Sequence, residues 1–262
     1  MAARVELRSW GSMAGVKRLI IADAHVGQRR GDSSAMAAML REARRRGVTE
    51  IVYLGDAFQY LIGMSKFWTA GMLEVMASWR ELRGDGVRVV VVEGNRDFFL
   101  DAGDLAREID WSGRCYEFAS GGIRFRLVHG DKVNLRDLQY RFWSRLSKSS
   151  PARLWARLLP RGLAVSIVRT MEARLAKTNR KFRYRRPFDS LRAAARQAWD
   201  DGVDVLLWGH FHEAWVYRHD HRLAMILPAW LDTRLAVVVD SDGVWSVVQE
   251  NLTPGRGLSK IA

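Results

Sequence analysis

Val87-Arg88-Val89-Val90-Val91-Val92-Glu93-Gly94-Asn95-Arg96-Asp97 is the stretch that decides the fold. Five valines in six positions leave almost no polar face. Such a run suits a strand covered on both sides, as in a parallel sheet. The valines stop short of Gly94, where the chain turns and delivers an amide, a guanidinium and a carboxylate. An apolar strand thus ends in a knot of chemically capable groups.

The same pattern precedes it twice. Residues 17–22 and 50–54 are apolar and β-branched, while 33–46 and 67–82 carry helical spacing, with Ser33 or Ser34 as a cap. Strand, helix, strand, helix, strand predicts a parallel sheet with helices packed on it. Downstream, 114–119 and 123–128 flank Ser120-Gly121-Gly122, a hairpin signal. Residues 191–200 read as a helix and 203–208 as a strand. The closely spaced runs 214–217, 223–227, 235–239 and 244–249 predict an antiparallel meander.

Composition sets the bounds. The chain has 262 residues, 48% of them hydrophobic, enough for one well-buried domain (1–262) with a small insertion. A single cysteine, Cys115, excludes an internal disulfide and points to a reducing compartment. No apolar run approaches the roughly 18 residues of a membrane span. Residues 1–15 lack the apolar core of a signal peptide. The first strand begins near Val16, so Met13 competes with Met1 as the start. Lys and Arg number 42 against 29 Asp and Glu, a net charge of +13. Residues 136–186 hold fifteen bases and only two acids, Asp137 and Glu172, which accounts for the whole excess. A neutral body carries one strongly basic block.

Five strands each end in a metal-competent group: Asp23-Ala24-His25, Gly55-Asp56, Gly94-Asn95-Arg96-Asp97, His129-Gly130-Asp131 and Gly209-His210-Phe211-His212. Carboxyl ends of parallel strands gather at one sheet edge, where ligands bind. Taken singly, an Asp-x-His or a Gly-Asp is ordinary turn chemistry. Five in order are not, and four of the six histidines fall in them. Asp23, His25, Asp56, Asn95, His129, His210 and His212 form a mixed oxygen and nitrogen set without thiolate, suited to Mn, Fe, Zn or Co. Seven side chains exceed the needs of one ion and suit two, with one carboxylate shared. Two ions can activate a trapped water and clamp phosphoryl oxygens for in-line attack.

These motifs resemble the calcineurin-like metallophosphoesterase superfamily, from Asp23 to His212. The resemblance implies an α/β fold, a two-sheet αββα sandwich. It implies one cation held by Asp23, His25, Asp56 and His212, and a second held by Asp56, Asn95, His129 and His210. Where many members carry histidine after the asparagine, this chain has Arg96. Gly94-Asn95-Arg96-Asp97-Phe98 is similar to the UDP-2,3-diacylglucosamine pyrophosphohydrolases of lipid A synthesis, as is the placement of Asp137 and Tyr140 after His129. That resemblance implies a Mn-dependent cleavage of the substrate pyrophosphate, by attack of an activated water, to UMP and 2,3-diacylglucosamine 1-phosphate. It also implies a peripheral location on the cytoplasmic face of the inner membrane. Asp56, Asn95, Arg96 and His129 would be catalytic. Asn95, Arg96, Asp137, Tyr140, Lys177, Asn179 and His210 would touch substrate. The chain departs from that family at Ala24, Ala57 and Gln59, where it has Leu, Leu and Glu.

The basic block falls where that family inserts a helical cap, expected here over residues 134–186. It interleaves bases with Tyr140, Phe142, Trp143, Trp155, Phe182 and Tyr184, and 152–159 and 162–171 are amphipathic. A solvated helical face is the plain reading. A basic amphipathic helix with tryptophan also suits an anionic membrane surface, and a basic aromatic groove suits single-stranded nucleic acid. Two further functions therefore stand beside the lipid hydrolase: a phosphoesterase for nucleotides or nucleic acid, and a metal-binding scaffold without catalysis. The scaffold predicts missing ligands, whereas all seven positions are filled.

Overall fold

The computed structural model describes residues 17–133, 146–164, 166, 170 and 187–249. In chain order these form β1 (Arg18–Ala22), α1 (Asp32–Arg45), β2 (Glu50–Leu54), β3 (Leu61–Ile62), α2 (Ala70–Gly84), β4 (Arg88–Val92) and β5 (Asp97–Phe98). There follow α3 (Gly103–Ala106), β6 (Trp111–Gly113), β7 (Cys115–Ser120), β8 (Ile123–Val128), α4 (Ser150–Leu158) and α5 (Phe188–Asp200). The last are β9 (Val205–Trp208), β10 (Trp215–His219), β11 (Arg222–Ile226), α6 (Trp230–Thr233), β12 (Ala236–Val239) and β13 (Trp245–Val248).

Two sheets stack. One runs β13-β12-β1-β2-β4-β6, with β1, β2, β4 and β6 parallel. The other runs β10-β11-β9-β8-β7, with β9 parallel to both β8 and β11. The two-residue side-chain period of a strand divides the core into layers. Leu19, Ile21, Ile51, Tyr53, Val89 and Val91 face Met36, Leu40, Val75 and Trp79 on α1 and α2. Ile20, Val52, Leu54, Val90 and Val92 face Phe125, Leu127, Val205 and Leu207 across the gap between sheets. Leu206 and Trp208 pack on Leu191, Ala195 and Trp199 of α5. The order is helix, sheet, sheet, helix, as the resemblance implied. Burying each such aliphatic side chain contributes roughly 1.5–3 kcal/mol relative to leaving it in water.

Three expectations are corrected. The meander does not exist. β10 and β11 pair as an antiparallel hairpin, but β11 returns beside β9 in parallel, and β12 and β13 join the other sheet next to β1. All four residues of β12 are buried, and a strand apolar on both faces needs cover on both, which the flank of β1 provides. Neither Ser33 nor Ser34 caps α1. The N-cap is Gly31 at φ 86°, and both serine hydroxyls donate to Glu74 on α2. α2 starts at Ala70, with Thr69 Oγ1 accepting from the Met72 amide; residues 65–67 make a separate 3₁₀ turn.

Of the basic block, the described part is centred on α4. Ser149 caps it and Pro151 stands in its first turn. Three cations tie it to the body. Lys148 Nζ donates to Glu93 Oε1 (2.6 Å) and Gly94 O (2.7 Å), and Arg153 Nη1 to Asp101 Oδ2 (2.7 Å). From the body, Lys66 Nζ donates to Leu159 O (2.8 Å). Ala156 and Ala164 pack with Tyr60, Met64 and Phe67. Among the described residues no helix is long and apolar enough to cross a membrane.

Candidate metal centre

The seven expected ligand positions come together at the carboxyl ends of β1, β2, β4, β8 and β9, so both sheets contribute. Backbone bonds lock the loops: the amides of His25 and Val26 donate to Asp56 O and Ala57 O, and Gly209 N donates to His129 O. His210 N donates to Asp23 Oδ2 at 2.7 Å, and Arg96 N to Asp56 Oδ1 at 2.9 Å. Glycine is required beside the ligands. A Cβ on Gly55, at φ 75°, would stand 2.0 Å from His129 Nδ1, and one on Gly94 2.3 Å from Asp56 Oδ1.

Asp23, His25, Asp56, His210 and His212 all have φ between 43° and 67°. For non-glycine residues this costs of order 1 kcal/mol or more each and persists where function holds it. Five such residues in one place concentrate strain at the site.

The donor atoms face one another. His25 Nε2 lies 3.3 Å from His212 Nε2, and Asp23 Oδ1 is 3.9 and 3.8 Å from those two nitrogens. Asp56 reaches both ways, with Oδ2 3.8 Å from His25 Nε2 and Oδ1 3.7 Å from His129 Nε2. Asn95 Oδ1 lies 3.0 Å from both His129 Nε2 and His210 Nδ1. Asp23, His25 and His212 form one group able to hold a cation; Asp23, Asp56 and His129 form another. Donors held about 2.0–2.2 Å from one cation stand roughly 3–3.5 Å apart, so slight contraction suffices. Asp23 Oδ1 is buried without any hydrogen-bond partner. An orphaned carboxylate oxygen aimed into a nest of imidazoles is what a divalent cation would satisfy, and the residues present fit one.

Electrostatics agree. Burial would raise the Asp56 carboxyl, but His129, His25 and Arg96 outweigh it and hold it at about 2. Burial would discharge His129, but Asp56, Asp23 and Asp131 push it up to about 9. Burial, with His129 nearby, pushes His210 down to about 4, and burial lowers His25 well below the usual imidazole range. Asp56 is thus charged and His25 and His210 neutral, the forms that bind metal, while burial raises the Asp23 carboxyl and His129 must shed a proton to ligate.

Arg96 is 5% exposed. Its Nε lies 3.7 Å from Asp56 Oδ2, and its guanidinium sits over the Tyr60 ring. The expected substrate contacts Asp137, Tyr140, Lys177 and Asn179 lie outside the described residues. Two residues given no role above prove to be structural to the centre. Asp97 Oδ2 accepts from the amides of Asp56 (3.0 Å) and Gly94 (2.7 Å), joining two ligand loops; burial, then the Asp56 charge, pushes its carboxyl up to about 7. Lys148 grips the carbonyl beside Asn95. Asp97 was visible as the fourth residue of its motif; Lys148 gave no sign within a long basic run.

The calcineurin-like phosphoesterase profile matches residues 16–214. A protein from Pseudomonas putida named UDP-2,3-diacylglucosamine hydrolase is 30% identical over 161 residues, 59% of this chain and 65% of that protein, so the match spans just under two thirds of the relative. One of the same name from Pseudomonas fluorescens is 26% identical over 228 residues, 79% of each chain. A dimetal phosphatase from Danio rerio aligns over 92% of this chain and 99% of its own with a TM-score of 0.46 and 15% identity, too loose to bear on chemistry.

Proposed function

The chain belongs to the calcineurin-like phosphoesterase family and is a metal-dependent phosphoesterase, and on that premise we propose that it hydrolyses the pyrophosphate of UDP-2,3-diacylglucosamine to UMP and 2,3-diacylglucosamine 1-phosphate. The observation that carries this reading is Arg96, with Phe98 two residues on, in the ligand loop of a chain whose similar curated proteins bear that substrate in their names.

In this reading the centre takes two divalent cations, Mn²⁺ being the working choice. Asp23, His25 and His212 hold one; Asn95, His129 and His210 hold the other; Asp56 lies between. When bound, such a pair supplies Lewis acidity and an activated water. The residues do the rest. Asp97 keeps the Asp56 and Gly94 loops in register. Arg96, always protonated, offers a planar fork to phosphate oxygens that a lysine lacks. The expected cap, 134–186, lies largely outside the described residues; in this reading it would select an acylated substrate. Leu154, Trp155 and Leu158 of α4 are 59%, 57% and 73% exposed beside Arg157 and Arg161, which supports a peripheral stance on an anionic inner-membrane surface from the cytoplasmic side.

A crystal structure with Mn²⁺ tests the centre. Two ions about 3.5–4 Å apart with Asp56 between them are expected. A single ion, or Asp56 turned away, would contradict the dinuclear assignment.

A further inference from the structure

The imidazoles of the centre are not held alike. His129 Nδ1 lies 3.3 Å from a backbone carbonyl, Leu54 O. His210 Nδ1 faces Asn95, and His25 Nδ1 is buried without a hydrogen-bond partner. His212 alone of the four turns a ring nitrogen to a carboxylate outside the ligand set. Its Nδ1 lies 3.3 Å from Asp232 Oδ2 on α6.

That carboxylate is itself fixed. Asp232 Oδ1 accepts from Arg29 Nη2 at 2.6 Å, and Arg29 Nη1 donates to Leu231 O at 2.6 Å. The Arg29 amide in turn donates to Asp32 Oδ2 at 2.6 Å, and Asp32, fully buried, takes Arg234 Nη2 on its other oxygen at 2.6 Å. Backbone bonds tie the same short helix to the centre: Leu231 N donates to Asp23 O, and Ala229 N to His212 O.

We propose that Asp232, held by Arg29, is the positioning residue for His212. It accepts the Nδ1 proton and so presents the Nε2 lone pair to a cation beside Asp23 and His25. The inference rests on the reading of the centre as a metal site. A carboxylate on the outer nitrogen fixes the tautomer and orientation of a ligating imidazole and raises its basicity. The alternative is an ordinary surface ion pair, since Asp232 is 34% and Arg29 51% exposed; such a pair contributes little. Geometry favours positioning. Nδ1 is the one nitrogen of His212 not directed into the centre, and Nε2 lies 3.3 Å from His25 Nε2 and 3.8 Å from Asp23 Oδ1. The brace reaches only the Asp23–His25–His212 side, so its loss should act on one cation and spare the other.

The test is Mn²⁺ titration of metal-free protein followed by electron paramagnetic resonance. Wild type, Asp232→Asn, Asp232→Ala, Arg29→Met and Asp56→Ala are compared, with thermal melts of each metal-free protein. Wild type should bind two equivalents and give the signal of a spin-coupled pair. Both Asp232 variants should weaken one equivalent by about 10- to 100-fold and leave the other within about twofold, with an isolated-ion signal between. Arg29→Met should shift the same equivalent by less, and the metal-free melts should match wild type. Asp232 variants that bind both equivalents as wild type does, while Asp56→Ala loses them, would overturn the positioning role and leave the centre standing. Equal loss of both equivalents with a lowered melt would reduce Asp232 to a structural part. A wild-type protein that binds no Mn²⁺ would overturn the metal reading itself.

Discussion

The strand ends of the body and the surface of α4 break the usual rule of burial in opposite directions. At the strand ends the polar groups are inside: Asp23, His25, Asp56 and His129 are each 2% exposed or less. On α4 the apolar groups are outside, Leu158 reaching 73%. Buried polar groups and exposed large apolar ones are the two informative exceptions in a folded chain. The first exception marks the candidate metal centre. The second, on the proposed reading, is where an acyl chain or membrane would be met. The α4 segment reaches the ligand loops through Lys148, which holds Glu93 and Gly94, and on the proposed reading the two regions divide the work.

The sharpest way to break that division is to damage the body. Asp56→Ala or His129→Ala should lower turnover of every substrate, acylated or small, by about 10² to 10³ or more, because a few kcal/mol of electrostatic stabilisation is lost. Circular dichroism should show the fold intact. Near-wild-type rates in Mn²⁺ buffer would remove these residues from the chemistry.

Damage to the insertion should be selective. Replacing residues 150–186 by a Gly/Ser linker should leave hydrolysis of a small chromogenic phosphodiester within a few-fold, since every ligand position, and Lys148 with its grip on Gly94, lies outside the segment. Turnover of the acylated substrate should fall by about 10²-fold, as shelter for acyl chains at about 0.8 kcal/mol per buried methylene is withdrawn. Equal loss on both substrates would mean that the two regions are one machine.

Arg96 belongs to the body but is expected to act on substrate. Arg96→Lys keeps the charge and loses the fork, so a decrease of roughly tenfold is expected in kcat/KM, with metal content unchanged. Arg96→His supplies a proton donor instead. If both variants match wild type, Arg96 serves Asp56 alone.

The smallest effect is a proton count. Against the effect of burial, Asp56 and Asp23 push metal-free His129 up to about 9, so it is expected to carry a proton at pH 7.5. A cation must displace that proton. Calorimetry in buffers of different ionisation enthalpy should find close to one proton released on binding. Apparent affinity should rise with pH up to about 9 and flatten beyond. A proton count near zero at pH 7.5 would contradict the charged state of His129.

The parallel half of the fold was legible in sequence because its strands are apolar on both faces and end in motifs, so 17–22, 50–54 and 87–92 fall on β1, β2 and β4 within a residue. The last third was legible as strands but not as pairings. Nothing local distinguishes β12, which crosses to the flank of β1, from a strand of the neighbouring sheet; only the layer that covers it decides. The ligand residues were legible because adjacent glycines and short motifs set them off. Asp232 was not, since it reaches His212 across twenty positions and belongs to no motif. Charge and interleaved aromatics marked residues 136–186, and they name the sign and character of a partner without naming the partner.

Side-by-side turnover of UDP-2,3-diacylglucosamine, a small chromogenic phosphodiester and single-stranded DNA, each with Mn²⁺ and with chelator, tests the central claim most directly. The account predicts metal-dependent release of UMP from the acylated nucleotide sugar at a kcat/KM well above that for the other two. Metal-dependent cleavage of DNA with the UDP-sugar left intact would contradict it.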